Sequence, residues 1–183
     1  MKMEYRRLYI WVEGDDDYRF FDKLVKPLFE EKYDSIELIK YKERKGMNKK
    51  KVNNFLKSIT AMNTDYIFVG DINAHPCATA KKQELRHTYR NIDERRIVVI
   101  KKEIESWYLA GLTRENSKNL GVHYFNNTDT IAKEQFDVFI PTKFDSRIDF
   151  MTEVLKVFSI ETAKEKNESF KYFIEKYCTH KLE

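Results

Sequence analysis

Residues 8–21, LYIWVEGDDDYRFF, constrain this chain more than any other stretch. An apolar run ends on Glu13 and Gly14 and passes at once into helical spacing, with Phe20, Phe21, Leu24, Val25, Leu28 and Phe29 on one stripe. Asp15, Asp16 and Asp17 fall in the first turn, where the positive end of the helix dipole favours acids. A strand that hands over directly to a helix is the first half of a βαβ unit. It sets Glu13 at the carboxyl end of the strand, the edge at which open α/β sheets gather their ligands. Pro27 is expected to kink or shorten the helix.

The same alternation recurs. Residues 35–41, SIELIKY, alternate apolar and polar side chains as a strand with one wetter face does. A basic run, KYKERKGMNKKK, leads into Val52, Phe55, Leu56 and Ile59, the stripe of a second helix. Residues 66–69 read as a third strand that ends in Gly70-Asp71-Ile72-Asn73. Residues 78–89, opened by Pro76, have good helix formers but a weak apolar stripe, which predicts an exposed helix. IVVI at 97–100 is the most strand-like run and is expected at the centre of the sheet, with a helix following near Ile104.

This order predicts an α/β fold: a mainly parallel four-stranded, Rossmann-like sheet flanked by helices over residues 1–112. Beyond Leu112 the pattern changes to a mostly helical extension, residues 113–183, expected to pack on the core. Ile148, Met151, Leu155 and Phe158, then Phe170, Phe173, Ile174 and Tyr177, mark two helices there. Phe136 to Ile140 reads as a further short strand.

With 183 residues, 42% hydrophobic and 35% charged, the chain has apolar material for a core and is not disordered by composition. No apolar run reaches the ~20 residues that span a bilayer, and Glu4, Arg6 and Arg7 interrupt any secretory core, so a soluble cytoplasmic protein is expected. Cys77 and Cys178 lack the spacing of a zinc site or a disulfide framework.

Three strand ends therefore carry acids: Glu13, then Asp71 with Asn73, then Glu103 and Glu105. On one edge of a parallel sheet such side chains suit a hard cation, Mg²⁺ or Mn²⁺, and a divalent ion there suits phosphodiester hydrolysis. VEGDDDYRFF, with Glu-Gly-x-x-Asp before an apolar helix, resembles the first motif of Toprim domains. IFVGDIN is similar to their second motif, ordinarily Asp-x-Asp after a strand. VVIKKEIESWYLAGL resembles the Glu-x-Trp-x-Leu-Ala segment of small stand-alone Toprim-like proteins and relatives of OLD-type nucleases. The resemblance covers roughly residues 5–112 and implies a Mg²⁺ site acting on nucleic-acid phosphodiesters. It makes Glu13 a general acid or base or a metal-site acid, Asp71 a metal ligand and Glu105 the third acid, with Asp17 and Glu103 as secondary candidates. Asn73 stands where the family has a second aspartate and offers the metal a neutral oxygen.

Each feature also has a plainer reading. Asp15 and Asp16 suit a helix start whatever the function, and a basic run is usually a solvated face. The net charge of +4 is modest, but Lys42, Arg44, Lys45, Lys49, Lys50 and Lys51 lie between a strand end and a helix, where they can contact phosphates. Two functions follow as expectations. One is a Toprim-type nuclease acting on DNA or RNA in defence or repair, beside an ATPase partner. The other is a catalytically weak module of the same fold that binds nucleic acid or a partner protein.

Overall fold

Arg7–Val12 forms β1, an inner strand with a neighbour on each side, and five of its six residues are buried. The computed structural model describes residues 5–42 and 47–179. With β2 (Ser35–Lys40), β3 (Asp65–Asp71) and β4 (Ile97–Ile100), β1 makes a parallel four-stranded sheet in the order β2-β1-β3-β4. The fold is α/β, as the alternation of strands and helices predicts. Against that expectation IVVI is an edge strand. Its apolar run reflects burial of the strand's faces, which periodicity reads, rather than its place in the ladder, which periodicity does not.

Internal contacts divide the chain into two units, one ending at Val99 and the other starting at Ile100. In the first, the β1 pleat sends Leu8, Ile10 and Val12 to one face and Tyr9 and Trp11 to the other; all five are buried. The Tyr9–Trp11 face belongs to a core with Ile39, Tyr41, Leu56, Phe68, Leu85 and Tyr89. Aromatic rings set its spacing: Trp11 stacks on Phe68 at 5.9 Å, and Tyr41 lies 4.4 Å from Phe68. α2 (Lys49–Ala61) buries Val52, Leu56 and Ile59 at helical spacing, each worth about 1.5–3 kcal/mol over an exposed position. Phe55 remains partly exposed but sets its ring edge-on to Tyr9 and Trp11.

α1 (Asp15–Phe20) continues into a π turn at Phe21–Val25 and a 3₁₀ turn at Lys26–Phe29. Pro27 accounts for the change, since it lacks the N–H that a regular turn needs there. α3 (Ala78–Thr88) is largely exposed, as its weak stripe predicts, but for two residues. It buries Lys81 and Leu85, one turn apart, and the pattern is weak because a lysine holds an interior position.

The second unit is helical. α4 (Ile104–Ala110) is buried along its whole length. It is followed by α5 (Arg114–Leu120), α6 (Lys133–Phe139), α7 (Arg147–Lys156), α8 (Ile160–Lys166), α9 (Glu168–Phe173) and a π turn at Ile174–Cys178. The expected short strand at Phe136 to Ile140 is instead the end of α6. Only Phe136 of that helix is fully buried, as on one helical stripe, and the Gln135 side chain accepts the Ala132 N–H to start the helix. Trp107 is fully buried, with Phe170 edge-on at 5.1 Å and its indole N–H on Ser169 at 2.9 Å, so it is a packing residue. Asn167 caps α9 by accepting the Phe170 N–H and donates to Thr128 at 3.1 Å and Ser106 at 3.3 Å, which leaves this buried amide satisfied.

Candidate functional site

In the first unit β1 and β3 are neighbours in register, with Trp11 opposite Phe68, so Glu13 and Asp71 emerge on adjacent strand ends. One oxygen of Glu13 accepts the Asp71 main-chain N–H at 3.2 Å, directly across the ladder. The same oxygen lies 3.1 Å from the Tyr41 hydroxyl, whose single proton is shared with the Val69 carbonyl at 2.9 Å. The second oxygen is ion-paired with Lys42. Burial, reinforced by the charge of Glu13, pushes the Tyr41 hydroxyl well above its ordinary pKa, so Tyr41 remains a neutral donor that fixes the carboxylate.

Asp17 is buried, and its carboxylate accepts the Gly14 N–H at 3.3 Å, tightening the turn that follows Glu13. Asp71 is 9% exposed. Asn73 is exposed and adopts the left-handed region at φ 51°, which asparagine tolerates, and its amide donates to the Asp71 carbonyl at 3.1 Å. Asn73 thus closes the loop after β3 by a local hydrogen bond.

Two residues that pattern-reading passed over complete this end of the sheet. Tyr41 follows β2 and reaches Glu13 across the strands. Lys81, only 3% exposed, pairs with Glu84 at 3.1 Å. Burial raises the Glu84 carboxyl, but the bond and charge of Lys81 outweigh it and hold the group below its usual range. Gly70 makes the room: a Cβ there would lie 3.2 Å from Leu85, 3.4 Å from the Tyr41 hydroxyl and 3.5 Å from Lys81 Cε. The available signal for Lys81 was its place one turn before Leu85 on a helix that follows an acid-bearing strand end.

The remaining candidates are divided between the two units. Glu105 lies in the second, 3% exposed, and its carboxylate is ion-paired with Arg147, which also pairs with Asp137 and lies over the Phe136 ring at 4.9 Å. Glu103 precedes α4 and accepts the Lys133 N–H at 2.5 Å. In the first unit Lys49, Lys50 and Lys51 are exposed in the opening turn of α2, where the Asn48 side chain accepts the Lys51 N–H at 3.0 Å. Three lysines there add to the positive end of the helix dipole rather than offsetting it. Arg44 and Lys45 lie outside the described residues.

Among the described residues no three His, Cys, Asp or Glu side chains are grouped as a metal cage requires. Magnesium does not need one: it keeps several waters and uses one or two carboxylates with substrate phosphates. Glu13 and Asp71, hard oxygen donors on adjacent strand ends, fit an ion held in that way. Comparison with protein-family models, with curated proteins and with solved structures gives no match, and nothing in them identifies a Toprim domain. No helix among the described residues is long and apolar enough to cross a membrane.

Proposed function

We propose that the β1–β3 end of the sheet carries out Toprim-type, Mg²⁺- or Mn²⁺-dependent phosphodiester chemistry on nucleic acid. The observation that carries this reading is the Glu13 carboxylate turned across the ladder onto the Asp71 N–H, which brings two acid-bearing strand ends together. Asp71 and Glu13 would hold the ion, with Asn73 in reach as a neutral oxygen. When bound, such an ion neutralises charge on a phosphodiester and lowers the pKa of a coordinated water. Tyr41 holds Glu13 in one orientation through its neutral hydroxyl. Lys81, paired with Glu84, lies beside Gly70 behind the β3 end, and Lys49, Lys50 and Lys51 supply an exposed positive charge for a phosphate backbone.

The second reading is a module that binds nucleic acid or a partner protein with little catalysis. Two observations favour it: Glu105 is engaged by Arg147, and Asn73 is a neutral amide where the resembled motif has a carboxylate.

Calorimetric Mn²⁺ titration tests the metal reading. Asp71→Asn should nearly abolish binding. Asn73→Asp should tighten it about 5- to 30-fold, since an added carboxylate is worth ~1 to 2 kcal/mol at a partly solvated site. Equal affinity in the wild type and both variants would mean that this loop holds no metal.

A further inference from the structure

Glu13 has one oxygen to offer a cation, and a cation of this chain is on it. Oxygen Oε1 accepts the Asp71 N–H at 3.2 Å and lies 3.1 Å from the Tyr41 hydroxyl, whose one proton it shares with the Val69 carbonyl. Oxygen Oε2 is ion-paired with the Lys42 ammonium. The placement follows from the sheet. Val12 is level with Lys40, so the two residues after β2 pass beside Glu13; Tyr41 takes one oxygen from the buried side and Lys42 the other from the solvent side. The two partners differ in mobility: Tyr41 is locked in the core, whereas the Lys42 side chain is 45% exposed on a flexible stem.

Resting on the metal-dependent reading above, we infer that Lys42 is an internal occupant of the Glu13 cation subsite, displaced when its ammonium is taken up by a nucleic-acid phosphate. An ammonium and a divalent ion compete for the same oxygen and repel each other, so the metal binds weakly while Lys42 is in place. Lys42 also belongs to the basic run that ends in Lys49, Lys50 and Lys51. A nucleic-acid phosphate that takes up the Lys42 ammonium draws it outward and bares Oε2. Divalent-ion binding and nucleic-acid binding then favour one another, and linkage requires the coupling to be the same in both directions. The ion would be loaded chiefly when there is a phosphodiester for it to act on.

The test is Mn²⁺ binding, read by the electron-spin-resonance signal of the free ion, on the full chain as wild type, Lys42→Met, Lys42→Arg, Glu13→Gln and the Lys42→Met/Glu13→Gln double variant. Each is measured with and without a single-stranded phosphorothioate oligonucleotide. Losing a half-exposed ion pair and a nearby like charge should tighten Mn²⁺ binding about 5- to 30-fold in Lys42→Met. Lys42→Arg should keep wild-type affinity, and the gain should vanish when Glu13 is glutamine. The oligonucleotide should tighten Mn²⁺ binding in the wild type and do so less in Lys42→Met. Wild-type Mn²⁺ binding that is unmoved by Lys42→Met, or a gain that survives Glu13→Gln, overturns the inference alone. Absence of Mn²⁺ binding in every form overturns it together with the metal-dependent reading.

Discussion

Replacing Arg147 with methionine separates a structural acid from a catalytic one. Arg147 pairs with Glu105 and with Asp137 and lies over Phe136, so its guanidinium balances a carboxylate that is only 3% exposed. Methionine keeps much of the apolar stem but leaves Glu105 buried without that charge. Breaking a fully buried ion pair from one side costs about 3–5 kcal/mol. The Arg147 side chain is 21% exposed and water can reach it, which lowers the expectation to roughly 2–4 kcal/mol. For a chain of this size that is a fall in Tm of roughly 4–16 °C, at about 2–4 °C per kcal/mol. The Arg147→Met/Glu105→Gln double variant should recover part of the loss, because an amide in that position carries no charge. Urea unfolding at pH 7 and calorimetric scans of the two variants measure both effects. A loss below about 1 kcal/mol for Arg147→Met, or no recovery in the double variant, would refute the claim that Arg147 holds Glu105 as a structural pair.

Gly111→Ala should destabilise the second unit by about 1–3 kcal/mol, because a Cβ there would fall 2.2 Å from Phe158 Cδ2; an unchanged urea midpoint would contradict this. Lys166 is held down to about 8 by burial and then by the charge of Arg114. The unfolded chain keeps that proton up to the ordinary lysine value, so stability should climb between pH 8 and 10, and Lys166→Met should flatten the climb in urea midpoints taken at both pH values. Changing Lys49, Lys50 and Lys51 together to glutamine should weaken nucleic-acid binding and reduce the slope of log affinity against log salt by about 2 to 3 units; an unchanged slope would make that turn a solvated face.

The four strands were legible because three are short apolar runs and β2 alternates apolar and polar side chains, each closed by a glycine, an acid or a polar turn, and the βαβ alternation orders them in parallel. The edge position of IVVI was not legible, since ladder order is a property of the whole sheet. Phe136 to Ile140 is a five-residue stretch with four apolar residues around Asp137, too short for periodicity to separate a strand from the end of a helix. In the site, Glu13 and Asp71 could be found from their places at strand ends. Their partners could not: Tyr41 and Lys42 reach Glu13 from 28 and 29 residues away through strand register. Arg147 reaches Glu105 from 42 residues away through helix packing. Lys81 escaped because a hydropathy stripe treats every lysine as solvent-facing, although this one is buried beside Gly70 and paired with Glu84.

Cleavage of end-labelled single- and double-stranded DNA and RNA, followed with Mg²⁺, with Mn²⁺ and with chelator, tests the central claim most directly when run on the wild type beside Glu13→Gln and Asp71→Asn. Cut products are expected only with a divalent ion, in the wild type, with a loss of at least about 100-fold in each variant, the scale on which positioned acids and metal ligands contribute. Cleavage that persists in chelator, or that is equal in the wild type and both variants, would contradict the claim.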